Sequence, residues 1–235
     1  ARLMPNAIGL LMEKEIAALS SAVEKPKKPF VVVIGGAKVS GKIKLILKLL
    51  RSSDVMLIGG AMAYTFLVAS GYSVGKSFVD DANVDYARDV LTIAKSLGKR
   101  LVLPVDHVCL KDGSKKRKPF VSEELVDDMI AYDIGPKTIK LFSEEIKKAK
   151  QVLWNGPLGK YEDARFNEGT NAIAKAIANS GAYSIVGGGD SVGAVKKAGL
   201  ENKFDLISTG GGATLKYIEQ GSLPCVDVIQ EKIKL

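Results

Sequence analysis

The sequence is poor in the residues that build disulfide frameworks and zinc sites. Its 235 residues include only two cysteines, Cys109 and Cys225, and one histidine, His107. Two cysteines cannot supply a disulfide framework, so we expect a reducing compartment. One histidine and two cysteines also fall short of the four ligands that structural zinc requires. The sequence therefore excludes a zinc-stabilised or disulfide-stabilised domain.

Signals for export and for membrane insertion are also weak. The charged residues Glu13, Lys14 and Glu15 interrupt the apolar core that a signal peptide needs, so we expect a cytoplasmic protein. Residues 55–75 carry no charge and are long enough to cross a bilayer. Their glycines and polar side chains are more typical of a buried strand, a turn and a packed helix. We therefore expect no membrane partner.

The charge balance is basic, but its pattern does not favour nucleic acid. Lysine and arginine number 34 against 26 acidic residues, which gives a net charge of +8. The lysines are spread along helical segments without clustered arginines or interleaved aromatic residues. We therefore expect a solvated surface and no nucleic-acid partner. The positive field would favour an anionic substrate.

Six apolar runs have the length of β-strands. They are nearly continuous in Val, Ile and Leu, which is typical of parallel strands covered on both faces. Segments with helical spacing separate them, and this alternation predicts an open α/β sheet with right-handed crossovers. The predicted strands are residues 30–34, 55–58, 101–105, 151–154, 183–186 and 205–208.

Three further segments lie outside this alternation. Residues 7–23 predict an amphipathic helix that ends before the breaker sequence KPKKP. Residues 111–118 read KDGSKKRK, a basic loop whose Asp112 and Gly113 favour a turn or a hairpin tip. The segment after Gly221 is interpreted as a tail too short to fold alone.

Glycine is concentrated where the predicted strands end. Five of the six strands are followed by turns that contain glycine, in the sequences IGGAK, IGGAM, WNGP, GGGDS and STGGGA. Ligands of open parallel sheets bind at the carboxyl ends of the strands. Glycine at these ends lets backbone N–H groups and helix N-termini approach phosphate. The clusters therefore predict a large anionic ligand at this edge of the sheet.

Two familiar motifs are present but incomplete. Residues 36–42, GAKVSGK, fit the phosphate-binding pattern G-x-x-x-x-G-K, but Ile43 stands where a P-loop has the Ser or Thr that binds Mg²⁺. Residues 189–193, GDSVG, fit the G-x-S-x-G pattern of a hydrolase nucleophile. That chemistry needs a histidine after the serine, whereas His107 precedes Ser191. His107 is instead interpreted as a structural residue at a strand end.

Taken together and in order, the strand-end sequences resemble one enzyme family. GGAKVSGKIKLI, LIGGAMAYTFL, LPVD, YDIGPKT, VLWNGPLGKYE, IVGGGDSVGAV and STGGGATLKYIE resemble the C-terminal, nucleotide-binding half of phosphoglycerate kinase. The resemblance implies a Rossmann-like three-layer α/β/α domain with a mostly parallel six-stranded sheet. It assigns residues 1–28 to an interdomain-type helix and linker, 29–220 to the nucleotide-binding domain and 221–235 to a C-terminal tail. The chain departs from the family at Gly41, which is usually acidic, and at Tyr161, which is usually phenylalanine.

The resemblance also implies roles for individual residues. Lys38 would guide the transferring phosphoryl group, Asp190 would hold Mg²⁺, and Glu162 would accept hydrogen bonds from the ribose. Lys38 and Lys42 lie four residues apart at a predicted helix start, so both ammonium groups can reach one side of the crevice. The implied catalytic residues are Lys38, Gly188 and Gly211. The implied nucleotide-binding residues are Gly36, Ala37, Lys38, Lys42, Gly59, Gly60, Asn155, Pro157, Glu162, Gly188, Gly189, Asp190 and Ser191.

The implied activity is reversible phosphoryl transfer between 1,3-bisphosphoglycerate and MgADP, a glycolytic reaction. ADP or ATP would be the small-molecule partner, with Mg²⁺ as cofactor. The family's N-terminal phosphoglycerate-binding half would be the protein partner, and without it we expect an inactive monomer. Two alternatives stay open on the sequence: a nucleotide-binding module without catalysis, and a P-loop-type NTPase.

Overall fold

The computed structural model describes residues 7–112 and 118–230. Helices and strands alternate along most of this length. The helices are α1 Leu10–Glu24, α2 Ile43–Ser52, α3 Met62–Ala69, α4 Val84–Ser96, α5 Pro136–Lys148, α6 Glu168–Ala178, α7 Gly189–Lys197, α8 Gly212–Gln220 and α9 Pro224–Gln230. The strands are β1 Phe30–Ile34, β2 Val55–Ile58, β3 Arg100–Val102, β4 His107–Lys111, β5 Phe120–Ser122, β6 Met129–Ile134, β7 Gln151–Asn155, β8 Tyr183–Gly187 and β9 Leu206–Ile207. Short 3₁₀ turns lie at Ser40–Lys42, Asp81–Asn83 and Glu201–Lys203.

The main sheet has six parallel strands in the order β3-β2-β1-β7-β8-β9. Residues on β1 alternate between two hydrophobic cores. Phe30, Val32 and Ile34 pack with α1, α2, α3, α4 and α8 on one face. Val31 and Val33 pack with α5, α6 and α7 on the other face. The predicted three-layer α/β/α fold with a parallel six-stranded sheet is therefore confirmed.

The edge strands are shorter than the sequence predicts. The run at 101–105 forms β3 only over Arg100–Val102, and the run at 205–208 forms β9 only over Leu206–Ile207. Each edge strand pairs on one side only, and Pro104 lacks the N–H that would continue a ladder. Asp205 leaves the ladder because its carboxylate accepts the Ser184 N–H over 2.7 Å.

A second, three-stranded antiparallel sheet has the order β5-β4-β6. The sequence predicts only a turn or hairpin tip near Asp112 and Gly113, and residues 113–117 lie outside the described ranges. The strands on either side of this gap, β4 and β5, do pair antiparallel. Tyr64, Cys109 and Ala131 belong to the small core that joins this sheet to α3.

Both flanking segments pack on the domain. Leu19, Ala22 and Val23 of α1 belong to the same core as β1, and α8 contributes Ile218 to that core. The tail after Gly221 forms α9, which begins at a proline and buries Val226. The domain limits at 28/29 and 220/221 stay predictions. Within the described residues no helix is both long enough and apolar enough to span a membrane.

Candidate functional site

The carboxyl ends of β1, β7 and β8 surround a cavity of about 320 Å³. Strands β1 and β7 are neighbours at the centre of the sheet, and the chain order runs outward in opposite directions from them. Such a switch point is where ligands bind in open α/β sheets. The cavity is lined by Gly36, Ala37, Lys38, Gly41, Lys42, Asn155, Gly156, Pro157, Gly188, Gly189, Asp190, Ser191, Gly211, Gly212 and Leu215.

Backbone hydrogen bonds hold the loop after β1 against the loop after β7. The Gly36 N–H donates to the Pro157 carbonyl over 2.8 Å, and the Gly35 N–H donates to the Asn155 carbonyl over 2.8 Å. Gly60 packs across both loops with a φ of +67°. A Cβ at Gly60 would lie 2.5 Å from the Gly36 nitrogen, so only glycine fits.

Lys42 places a partly desolvated positive charge in this cavity. Its Nζ donates to the Gly35 carbonyl over 2.7 Å and to the Asn155 carbonyl over 3.4 Å. Burial lowers the pKa of Lys42 to about 8, although the nearby Asp190 carboxylate acts in the opposite direction. A phosphate oxygen would be a stronger partner for this ammonium than two neutral carbonyls are.

Lys38 lines the same cavity from an exposed position. Lys42 lies at a helix start as predicted, since it is the N-cap of α2, whereas Lys38 precedes the 3₁₀ turn at Ser40–Lys42 and lies outside that helix. Val39 is fully buried and fixes the chain between the two lysines. Both side chains line the cavity, Lys38 from before this turn and Lys42 from its last residue.

The loops after β7 and β8 are joined by two polar side chains. The Asn155 Nδ2 donates to the Gly187 carbonyl over 2.7 Å, while its buried Oδ1 has no hydrogen-bond partner within the described residues. The Ser191 Oγ accepts the Gly156 N–H over 2.5 Å. Gly188 adopts a φ of +93°, and a Cβ there would lie 2.6 Å from the Asn155 Nδ2. These contacts fix the amide of Asn155 beside the cavity.

Two helices, α7 and α8, begin at the cavity. Gly188 and Gly211 are their N-caps, and neither has a side chain that could satisfy the first N–H groups. Free N–H groups and the helix dipole favour an anion at both positions. Asp190 lies exposed in the first turn of α7 and also lines the cavity.

One residue near the cavity is absent from the sequence-based predictions. Glu15 of α1 accepts hydrogen bonds from the Ser208 Oγ at 3.0 Å, the Thr209 N–H at 3.1 Å and the Thr209 Oγ1 at 2.8 Å. It therefore holds the loop that leads to Gly211. Since 193 or 194 residues separate these partners, the helical pattern around Glu15 gives no signal for the contact.

Most of the predicted site residues line the cavity, but three do not. Gly59 and Gly60 pack behind the loops, and a Cβ at Gly59 would lie 2.5 Å from the Leu158 side chain. Glu162 is exposed in the loop after β7 and is not among the lining residues. The nucleotide-binding roles of these three, like those of the residues that line the cavity, stay predictions. Gly41, Gly156, Gly212 and Leu215, which are not among the predicted site residues, complete the lining.

The two residues that a hydrolase would need, Ser191 and His107, have structural roles. The Ser191 Oγ serves as a backbone acceptor, and His107 begins β4 in the second sheet. Burial lowers the pKa of His107 to about 4, and its ring lies 5.5 Å from that of Tyr64. His107 is therefore a buried, neutral structural residue, as its place in the sequence suggested.

Fold and site together define a Rossmann-like three-layer α/β protein with a glycine-lined cavity at its switch point. The family model described as phosphoglycerate kinase matches residues 1–221. The chain therefore belongs to the phosphoglycerate kinase family.

Individual relatives agree with this membership. The chain is 48% identical over 235 residues to a phosphoglycerate kinase of Dictyoglomus turgidum and 44% identical over 234 residues to one of Finegoldia magna. These alignments cover 99% of this chain and 59% of each relative. A solved phosphoglycerate kinase from Coxiella burnetii superposes with a TM-score of 0.92 at 39% identity, over 96% of this chain and 59% of that one. The Pyrococcus horikoshii enzyme gives a TM-score of 0.85 at 32% identity, over 99% of this chain and 59% of that one. The chain thus spans only part of the length of these proteins.

Proposed function

We propose that the chain is the nucleotide-binding part of a phosphoglycerate kinase and takes ADP or ATP at the cavity between β1, β7 and β8. The observation that carries this proposal is the convergence of Lys38, Lys42 and the N-termini of α7 and α8 on one cavity. Four sources of positive potential at a sheet's switch point suit a polyphosphate. Asp190 is the only acidic residue in the lining.

Residue roles follow from where each group lies. Lys42, whose hydrogen-bond acceptors among the described residues are two backbone carbonyls, would bind a phosphate of the nucleotide. Lys38, on the exposed rim, would face the phosphoryl group that moves during the reaction. The α8 N-terminus at Gly211 and the α7 N-terminus at Gly188 would donate N–H groups to the phosphates. Glu162 does not line the cavity, and it is proposed as the ribose acceptor on the family resemblance alone.

The site fits Mg²⁺ as a partner of the nucleotide rather than as a resident ion. Asp190 is the single carboxylate in the lining, and no cluster of three or more candidate ligands occurs in the described part of the chain. Mg²⁺ commonly binds one or two carboxylates together with substrate phosphates and water. Asp190 would hold the ion in this way, and the ion would neutralise phosphate charge.

The whole reaction requires more than this chain. We propose transfer of a phosphoryl group from the acyl phosphate of 1,3-bisphosphoglycerate to MgADP, which yields 3-phosphoglycerate and MgATP. The family's N-terminal half would bind the phosphoglycerate. A nucleotide-binding module without catalysis is the second candidate, and the observation in its favour is that neither arginine nor histidine is among the described residues that line the cavity. A P-loop NTPase is not favoured, because Ile43, the first residue of α2, stands where a P-loop has the Ser or Thr that binds Mg²⁺.

Calorimetry with MgADP tests the nucleotide site. We expect one saturable site per chain, because only one cavity joins both lysines and both helix N-termini in the described residues. MgGTP should bind without a large loss of affinity, since the charged groups and helix N-termini of the cavity would contact the phosphates rather than the base. Absence of saturation at millimolar MgADP would contradict the proposal.

A matched control separates this site from the general positive charge of the chain. Lys44 lies on α2 two residues from Lys42, is exposed and does not line the cavity. Lys44→Met should leave MgADP affinity within about twofold of the wild type, because screening weakens exposed charges at physiological salt. An equal loss in Lys44→Met and Lys42→Met would indicate binding to the surface charge alone.

A further inference from the structure

Asp133 is a buried carboxylate that the proposed chemistry does not use. It lies on β6, is 1% exposed and does not line the cavity. It accepts the Ile134 N–H over 2.9 Å and the Gly169 N–H over 2.8 Å. Burial raises the pKa of Asp133 to about 7, against the opposing effect of these two N–H donors. A buried carboxylate with these contacts holds specific neighbours in place.

Two glycines make room for this carboxylate. A Cβ at Gly159 would lie 2.1 Å from the Asp133 Oδ1, and a Cβ at Gly169 would lie 2.4 Å from the same atom. Gly159 belongs to the loop after β7, and Gly169 to the first turn of α6. Asp133 therefore joins β6, the loop after β7 and the start of α6 at one point.

The next residue of α6 continues this connection. Thr170 is fully buried, and its Oγ1 accepts the Leu158 N–H over 3.0 Å. From the β6 side, the Tyr132 carbonyl accepts the Lys160 N–H over 2.8 Å. Residues 157–160, hereafter the wall segment, are thus held by β6 and by the start of α6.

The wall segment in turn holds the edge of the cavity. The Pro157 carbonyl accepts the Gly36 N–H over 2.8 Å, and the Leu158 carbonyl accepts the Gly60 N–H over 3.0 Å. Gly36 and Pro157 both line the cavity, and Lys38 follows Gly36 by two residues. A contiguous set of contacts therefore runs from Asp133 to the loop that carries the lysines.

We propose that Asp133 and Thr170 are positioning residues for the nucleotide site, which they shape through the wall segment without touching the ligand. The ligand in this inference is that of the proposed function. The positional claim, that Asp133 and Thr170 hold the wall segment in place, concerns contacts within this chain and can be measured without any nucleotide.

Two substitutions of similar size test the proposal. Asp133→Asn keeps the volume but replaces one acceptor oxygen with an amide donor, so that the Ile134 or the Gly169 N–H loses its partner. Thr170→Val keeps the branched shape and removes the acceptor for Leu158. Each is expected to loosen the wall segment, and Thr170→Val decides the question if Asp133→Asn fails to fold.

Asp106→Asn is the matched control. Asp106 is fully buried, and its carboxylate accepts the Lys137 N–H over 2.9 Å and the Thr138 N–H over 2.7 Å at the start of α5. A glycine, Gly135, packs on it as Gly159 packs on Asp133. None of the hydrogen bonds of the Asp106 carboxylate reaches the wall segment.

Amide hydrogen exchange of the isotope-labelled chain at pH 8 is the first measurement. Asp133→Asn and Thr170→Val should speed exchange at Gly36, Gly60 and Leu158 by about tenfold or more, because local opening exposes these amides. Exchange at Ile185 in β8 reports global opening and should change far less. Asp106→Asn should instead speed exchange at the start of α5 and leave Gly36 unchanged.

The second measurement is MgADP affinity by calorimetry under conditions where every variant is folded. We expect both test variants to bind about 5- to 20-fold more weakly, and Asp106→Asn to stay within about twofold of the wild type. Unchanged Gly36 exchange and unchanged affinity in the test variants would overturn the proposal, as would equal effects of Asp106→Asn. If the wild type binds no nucleotide, the proposed function fails, and the exchange data alone decide the positional claim.

Discussion

Purified alone, the chain is expected to bind MgADP and to show no measurable phosphoryl transfer. Transfer needs the phosphoglycerate held in line with the nucleotide, with reacting atoms about 3 to 3.5 Å apart. Such positioning accounts for roughly 7 to 11 kcal/mol of a barrier, so turnover should be at least about 10⁵-fold below that of an ordinary metabolic kinase. Nucleotide affinity should persist because the lysines and helix N-termini belong to this chain.

Over the described residues, the lining of the cavity includes no second clamp for an anion. Neither arginine nor histidine is among the lining residues. Arg88, Arg100 and Arg165 form ion pairs with acidic residues elsewhere, and His107 is buried in the second sheet. A phosphoglycerate at this cavity would therefore meet only the positive groups that are proposed to bind the nucleotide.

A coupled assay with 3-phosphoglycerate and MgATP measures this prediction. The expression host supplies its own kinase as a contaminant, so Lys38→Met purified in parallel gives the background. Equal residual rates in the two preparations support the prediction. Turnover at an ordinary metabolic rate that Lys38→Met removes would overturn it. Adding the missing part of a relative as a separate polypeptide should restore activity if the two parts dock.

The central features of the fold could be predicted from the sequence because they depend on local composition. Continuous Val, Ile and Leu runs such as residues 30–34 identify strands that are buried on both faces. Glycine after these strands identifies the edge at which the cavity lies. The individual residues that line the cavity, Lys38, Lys42 and Asp190 among them, are mostly named through the resemblance to the phosphoglycerate kinase family.

The missed features depend on contacts between distant residues. Strand β5 has three residues and little pattern, so pairing with β4 and not composition defines it. Glu15 reaches a loop more than 190 residues away, and a helix pattern cannot indicate this partner. The burial of Lys42 arises from the approach of two loops. The spacing of Lys38 and Lys42 predicts a helix start but does not show the 3₁₀ turn that separates Lys38 from α2.

Replacing Lys42 with methionine is expected to weaken MgADP binding about 100-fold and, at the same time, to stabilise the chain without ligand. The loss follows from removing a desolvated ammonium that would face phosphate, since a charge-assisted hydrogen bond is worth roughly 1.5 to 3 kcal/mol. The gain follows from removing a charge whose present partners are two neutral carbonyls. Functional sites commonly trade stability for binding in this way.

The gain in stability of Lys42→Met should shrink as the pH rises. The pKa of Lys42 is about 8 in the folded chain, below its ordinary value of 10.5. Between these values the unfolded chain binds more protons, so the penalty of the buried charge is fully present below pH 8 and disappears as the pH rises toward 10.5. The variant should therefore exceed the wild type in unfolding free energy at pH 7, by on the order of 1 kcal/mol, and by less at pH 9.5.

Lys38→Met is the comparison that separates the two lysines. Because Lys38 is exposed, its loss should leave the unfolding free energy nearly unchanged at either pH, as is usual for surface substitutions. It should also reduce the MgADP affinity of the isolated chain less than Lys42→Met does, since its proposed partner is charge that moves during transfer.

Urea unfolding at pH 7 and 9.5, together with calorimetry at pH 7, measures all three variants, Lys44→Met included. The assignment of Lys42 to phosphate binding would fail if Lys42→Met bound MgADP as tightly as Lys44→Met. Its burial would be in doubt if the stability difference did not shrink at the higher pH.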